Sequence, residues 1–435
     1  METTEILPYL SLSFGFGAIS LLTPCVFPLI PITVSYFLKR QADTHRNAFI
    51  ESLVYSLGIV VTFTLLGVLI SVLFGAAKVN QLAANPYLNL GIGFLFLFFA
   101  FNLMGFFEIQ IPSWVLMGIN RDGKINGIFS TLMMSFTFTL TTFSCTMPFL
   151  GTVLISASKG DWFFPVIGML GYSVAFAIPF FILSLFPAAL TKLPKSGNWM
   201  IKVKAIMGFL EIAASFKFFS NVDLVWNWEI LSRDVFLVIQ GILFIVLAIY
   251  LWGLFQFPHE FKKDTKVPFF QKGFSLISIV AAIYFFSGLS GIHMGELEAY
   301  IPPRGYGKFS FQHKPKDLQW IKSLKEAKQI SAQTGKPIFI DFTGFTCVNC
   351  RWMEQNVFTV DSIKLSLSNY ILLQLYTDGD GKEYEDNQAY QEKKYGTIAL
   401  PLYVIIDTNE NVLARFEGMT RDPLEFKNFL LKPFQ

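Results

Sequence analysis

The hydrophobic and polar positions divide the chain into eight apolar runs and a tail of different character. The runs cover roughly 9–38, 49–75, 86–107, 127–156, 162–186, 199–220, 234–256 and 270–290. Each is near or above the about 18 residues that mark a candidate membrane-spanning helix. Residues 1–291 are therefore predicted to form a polytopic α-helical membrane domain of about eight spans. The first and fourth runs exceed the about 20 residues a span requires. Both carry a cysteine beside proline near the middle, Cys25 in TPCVFPLIP and Cys145 in TFSCTMPF, and both are expected to be broken helices.

From about residue 292 the pattern changes. Pro302, Pro303, Gly305 and Gly307 mark a polar connector over 292–316, which predicts an extended, mobile linker. A helical spacing of Leu318, Ile321, Leu324 and Ile330 opens a domain over 317–435. After it come a short strand in PIFIDFTG, a helix opened by CVNCRWMEQNVF and a strand in YILLQLYTD. A helix near 383–395, a strand in LYVIID, a turn at Asn409 to Asn411, a strand in VLARFEG and a terminal helix from about Pro423 complete it. Roughly 120 residues suffice for an independent core. The layout predicts an α/β redox domain.

Composition agrees with a membrane protein bearing a soluble domain. Hydrophobic residues make up 53% and charged residues 15%, against about 25% charged in soluble globular chains. The net charge of +3 comes from clustered lysines and arginines between apolar runs, which is not the basic stripe of a nucleic-acid binder. No nucleic-acid partner is expected, and the lipid bilayer is.

Those clusters set an orientation. Lys39, Arg40 and Arg46 follow the first run, and Arg121 and Lys124 follow the third. Lys192, Lys195, Lys202 and Lys204 lie around the gap between the fifth and sixth, and Lys262, Lys263, Lys266 and Lys272 around the gap between the last two. The other side offers little beyond Lys78, Lys159 and Arg233. Both termini are expected to face away from the cytoplasm. The first run has no basic leader or small-residue cleavage pattern, so no cleavable signal peptide is expected.

Four cysteines suit two redox pairs, each in a different solvent. Cys347 and Cys350, two residues apart at a helix start, are within disulfide reach. Backbone N–H groups and the helix dipole there favour a thiolate, so Cys347 is the expected nucleophile and Cys350 the resolving thiol. Structural zinc needs four ligands, and the tail adds only His313. No metal site is expected.

A lone cysteine in a membrane helix is ordinarily a packing residue. Three observations argue otherwise for Cys25 and Cys145. They are the only cysteines in the membrane part, prolines flank them (Pro24 and Pro28; Pro148), and each opens a possible three-helix half, spans 1–3 and 4–6. Halves with an odd number of spans have opposite topology, so the two positions would meet near the midplane of an inverted repeat, with two further spans following. Glu211 and Lys217 in the sixth run are also functional candidates, although six residues apart they fall on different helix faces.

The tail resembles a thioredoxin-fold domain. Leu400-Pro401 matches the position where that family keeps a cis-proline facing the active-site disulfide, whereas Phe345-Thr346 stand before Cys347 where thioredoxins usually have tryptophan. The two cysteine-proline motifs followed by this tail are similar to the DsbD family of thiol:disulfide interchange proteins, and the membrane core to the related CcdA proteins. The resemblance covers about 9–435.

The resemblance implies a protein-disulfide reductase with no cofactor beyond its redox-active disulfides. Electrons would pass from cytoplasmic thioredoxin to a membrane pair in which Cys25 meets thioredoxin and Cys145 is its partner. They would then reach Cys347 and Cys350 on the periplasmic side of a bacterial inner membrane, and finally periplasmic disulfide-containing proteins. Family members also carry an N-terminal immunoglobulin-like domain. This sequence begins near its first span, so either a separate protein or the tail itself is expected to serve the clients. Oxidised-protein repair, cytochrome c maturation and defence against copper and oxidants stay open as outcomes. Two further readings remain: a quinone-coupled thiol oxidase, and a metal or thiol transporter with a regulatory tail.

Overall fold

The fold is that of a computed structural model. It describes residues 3–21, 48–106, 131–140, 163–185, 197–255, 268–308 and 318–434, with a few isolated positions between them. Cys25, Cys145, Pro24, Pro28 and Pro148 lie outside the described residues.

Among the described residues, eight helices fall in the eight apolar runs: α1 (Thr3–Ser20), α2 (Ala48–Ala84), α3 (Pro86–Leu103), α4 (Thr131–Leu140), α5 (Phe163–Leu185), α6 (Gly197–Trp226), α7 (Arg233–Leu251) and α8 (Phe269–Ser287). Six of them, α2, α3 and α5 to α8, are long and apolar enough to cross a membrane. The count of about eight expected from the sequence is thus six among the described residues, because α1 and α4 carry only shorter apolar helices there. Helix α1 ends at Ser20, where Thr23 N–H donates to the Ser20 carbonyl in a turn ahead of Pro24.

The chain forms two units. One comprises residues 1–79, 97–212 and 256–265, the other 80–96, 213–255 and 266–435.

In the first unit, small residues let helices meet. A Cβ built on Gly17 would lie 2.4 Å from the Tyr172 carbonyl oxygen, so α1 and α5 approach through a glycine. Tyr172 Oη donates to Ser20 Oγ at 2.7 Å in the same contact. Helices α2 and α4 meet through Tyr55 and Phe138, ring centroids 6.1 Å apart. Exchanging α1–α3 with α4–α6 maps the α1–α5 pairing onto α4–α2. That is the pattern two related three-helix halves would give.

The second unit holds α7, α8 and the tail. The tail continues with α9 (Leu324–Thr334), β1 (Ile338–Thr343), α10 (Val348–Asn356), α11 (Asp361–Leu367), β2 (Ile371–Tyr376) and α12 (Lys382–Tyr395). It ends with β3 (Leu402–Ile406), β4 (Val412–Glu417) and α13 (Pro423–Leu431). The sheet order is β2-β1-β3-β4, with β1–β2 parallel and the other pairs antiparallel. Strand β1 is central and buried at every position, as a strand covered on both faces must be. Ile338, Ile340 and Phe342 pack on the side of α9 and α12, whereas Phe339 packs with Trp352, Phe358 and Phe426 on the side of α10 and α13. Strand alternation puts Asp341 on that second side.

The connector expected over 292–316 is a folded neck as far as it is described, to residue 308. Gly288–Ser290 and Gly295–Ala299 are 3-10 helices. Met294 and Ile301 pack with Phe236 and Leu237 of α7, and Ala299 joins the tail's own apolar cluster. Polar composition predicted an extended chain. Burial of these few apolar residues and of one ion pair overrides it. The domain boundary drawn at 291/292 consequently cuts through a packed unit.

Candidate redox site in the tail

Strand β1 delivers the chain to a short loop, Gly344 to Thr346, and helix α10 begins directly after Cys347. Cys347 and Cys350 form a disulfide with an S–S distance of 1.99 Å. Cys347 is the N-cap of α10, and its Sγ accepts from Cys350 N–H at 3.1 Å. Cys350 is buried and Cys347 is partly exposed, the asymmetry expected of a resolving and an attacking sulfur. The peptide before Pro401 is cis. Leu402 pairs with Phe342, so Pro401 stands beside the end of β1, where the loop to Cys347 starts.

The loop is pinned by one carboxylate. Asp378, just after β2, accepts from Phe345 N–H at 2.6 Å, Thr346 N–H at 3.0 Å and Thr346 Oγ1 at 3.1 Å. Burial pushes its pKa up, against the pull of these hydrogen bonds. A Cβ on Gly344 would lie 2.5 Å from Asp378 Oδ2, so a side chain there would push Asp378 off its hydrogen bonds. The Phe345 ring stacks on Tyr376 at 4.2 Å and meets Tyr384 edge-on at 5.5 Å. An aromatic anchor thus survives two residues before the first cysteine, although the tryptophan usual in thioredoxins is absent.

Between β1, β2 and α10 lies a charged network that the sequence reading missed. Arg351 bridges to Glu354 at 2.8 Å and donates from Nη2 to Thr343 Oγ1 and to the Gly344 carbonyl, both at 3.2 Å. Gln374 Nε2 donates to Asp341 Oδ2 at 3.0 Å and to Glu354 Oε1 at 3.3 Å. Burial, and then the Glu354 charge, hold the Asp341 carboxyl well above the usual carboxylate range; burial also raises Glu354 in spite of Arg351. Two such carboxyls sharing one cation retain a proton near neutral pH. A signal was available: Asp341 is the one charged residue in IFIDFT, an otherwise apolar strand.

The neck is held by a second buried cluster. Arg233 grips Glu298 bidentately at 2.7 and 2.9 Å, and Glu298 Oε1 also accepts from Arg304 at 3.1 Å and from Met294 N–H at 3.1 Å. Burial opposes ionisation of Glu298, but the two arginines and the backbone N–H win and its pKa is lowered. In the sequence Arg233 stands out only as a charge between two apolar runs. In the membrane part Glu211 is buried, with no hydrogen-bond partner at Oε2 among the described residues, and Lys217 is half-buried.

Residues 6–222 match the family described as cytochrome C biogenesis protein transmembrane domain, and residues 319–408 match a thioredoxin-like family. A thiol:disulfide interchange protein DsbD from Vibrio cholerae is 28% identical over 84% of this chain and 57% of its own length. Proteins of the same name from Campylobacter jejuni and Yersinia pestis are 24% and 26% identical, over 92% and 96% of this chain and 66% and 65% of theirs. The chain therefore spans about three-fifths of the length of the curated relatives it matches. A solved structure described as DsbH Oxidoreductase covers 29% of this chain and 96% of its own, at 24% identity and a TM-score of 0.23. A membrane domain of the cytochrome c biogenesis type and a thioredoxin-like domain with a disulfide at its helix N-cap stand in one chain, and the chain belongs to the DsbD family.

Proposed function

We propose that this protein is a membrane thiol:disulfide reductase. In this reading cytoplasmic thioredoxin reduces a Cys25–Cys145 disulfide. That pair reduces Cys347–Cys350, and the tail reduces disulfides of periplasmic proteins, with both termini on the periplasmic side of an inner membrane. The observation that carries the reading is the Cys347–Cys350 disulfide at the α10 N-terminus of a thioredoxin-like domain, in a chain that also carries a membrane domain.

Each transfer is a thiol–disulfide exchange. A thiolate attacks one sulfur of the partner disulfide, a mixed disulfide forms, and the second thiol of the donor releases it. Two electrons and two protons leave the donor pair, which becomes a disulfide, as the acceptor becomes two thiols. Once Cys347 is free, the N-cap bond from Cys350 N–H and the helix N-terminus stabilise its thiolate. Asp341 and Glu354 supply a place for a proton close to the sheet end from which the cysteine loop departs. Electrons run downhill from thioredoxin, at about −270 mV, to an oxidising periplasm, so no further electron carrier is needed.

The test is a trap. Cys145→Ala should accumulate a mixed disulfide between Cys25 and thioredoxin, visible as a reductant-sensitive adduct. Alkylation that finds Cys25 and Cys145 reduced and inaccessible under every redox condition would make them packing residues and end the proposal.

A further inference from the structure

The segment after β2 that grips the disulfide loop is itself hydrogen-bonded to a membrane helix. Trp226, the last residue of α6, donates from Nε1 to Asp380 Oδ2 at 3.2 Å. Asp380 is two residues beyond Asp378, the carboxylate that grips Phe345 and Thr346 ahead of Cys347. A Cβ on Gly379, between them, would lie 2.5 Å from the Tyr384 ring, and Tyr384 itself meets Phe345. The segment from Asp378 to Tyr384 is therefore one tight clasp around the residue preceding Thr346-Cys347.

The Trp226 end of the hydrogen bond is fixed. The Trp226 ring packs edge-on to Tyr87 at 5.3 Å and against Trp228 at 4.8 Å. The loop after α6 is fastened by Asp223, which accepts from Ile230 and Leu231 N–H at 3.0 and 3.2 Å, and the Asp223 carbonyl accepts from Tyr306 Oη of the neck at 2.7 Å. Asp380, by contrast, is exposed. An exposed aspartate needs no partner to satisfy it, and here it makes a directed bond from a loop that answers to Cys347.

We propose that Trp226 and Asp380 are a positioning pair, whose hydrogen bond holds the Cys347 loop in the orientation in which the tail disulfide accepts electrons from the membrane domain. The inference rests on the electron route proposed above. In the step concerned, the reduced membrane pair loses two electrons and two protons and becomes a disulfide, while Cys347–Cys350 becomes two thiols. Neither Trp226 nor Asp380 touches a reacting sulfur; they set the approach.

The test uses the full chain in detergent or lipid nanodiscs, with reduced thioredoxin added and reduction of Cys347–Cys350 followed by thiol alkylation. Trp226→Phe, which keeps a ring but loses the donor, and Asp380→Ala should each slow that reduction about tenfold, the scale of one hydrogen bond to a charged group. The double variant should be no slower than either single one, because both remove the same bond. Asp380→Asn, which keeps an acceptor oxygen, should recover most of the rate. Direct reduction of the tail disulfide by dithiothreitol should be unchanged in all four, a readout that a merely structural role would disturb. Unchanged transfer in Trp226→Phe and Asp380→Ala, multiplying effects in the double variant, or equal slowing with dithiothreitol would each overturn the pairing. A wild-type chain that takes no electrons from thioredoxin overturns the route itself, an outcome distinct from a working wild type with indifferent variants.

Discussion

The membrane helices and the tail bury polar groups in opposite ways. In the first unit the hydroxyls of Ser13, Thr62 and Thr139 donate to carbonyls four residues back on their own helix. Such a group is satisfied by the helix that carries it and needs nothing from the rest of the fold. In the tail, Asp341, Glu354, Arg351 and Gln374 come from β1, α10 and β2 and satisfy one another across elements. Charges out of water demand partners placed by the tertiary structure. The first arrangement makes a polar residue inert in an apolar solvent, and the second holds charge inside the tail between β1, β2 and the helix that begins after Cys347.

The largest effect that could break this contrast is loss of the sulfur chemistry. Cys347→Ser should abolish client reduction and trap no client, whereas Cys350→Ser should abolish turnover and accumulate mixed disulfides through Cys347, read by non-reducing electrophoresis. Equal trapping by both variants would contradict the exposed and buried roles given to the two sulfurs.

Next comes the neck, where two acidic residues of one 3-10 helix make different ion pairs. Glu298 and Arg233 are fully buried, and Glu296 and Arg421 are 65% and 70% exposed. Arg233→Ala, which leaves the buried Glu298 carboxylate with only Arg304 and the Met294 N–H, should destabilise the protein by about 3–5 kcal/mol, and Arg421→Ala by less than about 1 kcal/mol. Thermal unfolding of the purified protein measures both. Similar losses would mean that burial does not separate the two pairs.

The smallest effect sharpens the proton argument. The folded-state pKa of Asp341 is raised, so folding favours its protonated form. Its contribution is fully present below the unfolded value of about 4 and is lost as pH rises through the folded value. Asp341→Asn, which keeps shape without charge, should therefore be more stable than the wild type by about 2 kcal/mol at pH 8, with the difference closing toward pH 4. A constant difference across that range, in denaturation followed by tail fluorescence, would mean that Asp341 does not carry the shift.

The same contrast explains what the sequence made legible. Helices α2, α3 and α5 to α8 follow from unbroken apolar runs, because a bilayer span needs only length and hydrophobicity. The strands of the tail, the N-cap position of Cys347 and the cis peptide at Pro401 follow from local signals: apolar runs bounded by turns, a cysteine pair at a helix start, a Leu-Pro before a strand. Helix α11, only seven residues long with a short apolar pattern in DSIKLSL, left too weak a period to read. The neck failed for a different reason. Pro302, Pro303, Gly305 and Gly307 dominate its composition, and its order comes from Arg233, about 65 residues earlier, meeting Glu298. Asp378 and Glu354 were missed alike, since a carboxylate in a polar stretch has no local mark of its partner.

The central claim is that electrons enter from the cytoplasm and leave through the tail. The most direct measurement is the redox state of Cys347 and Cys350 in cells depleted of cytoplasmic thioredoxin, read by alkylation of the intact chain. The pair should accumulate there as the disulfide, as it should also when either Cys25 or Cys145 is replaced. A pair that stays fully reduced in depleted cells would show instead that electrons reach the tail by another route.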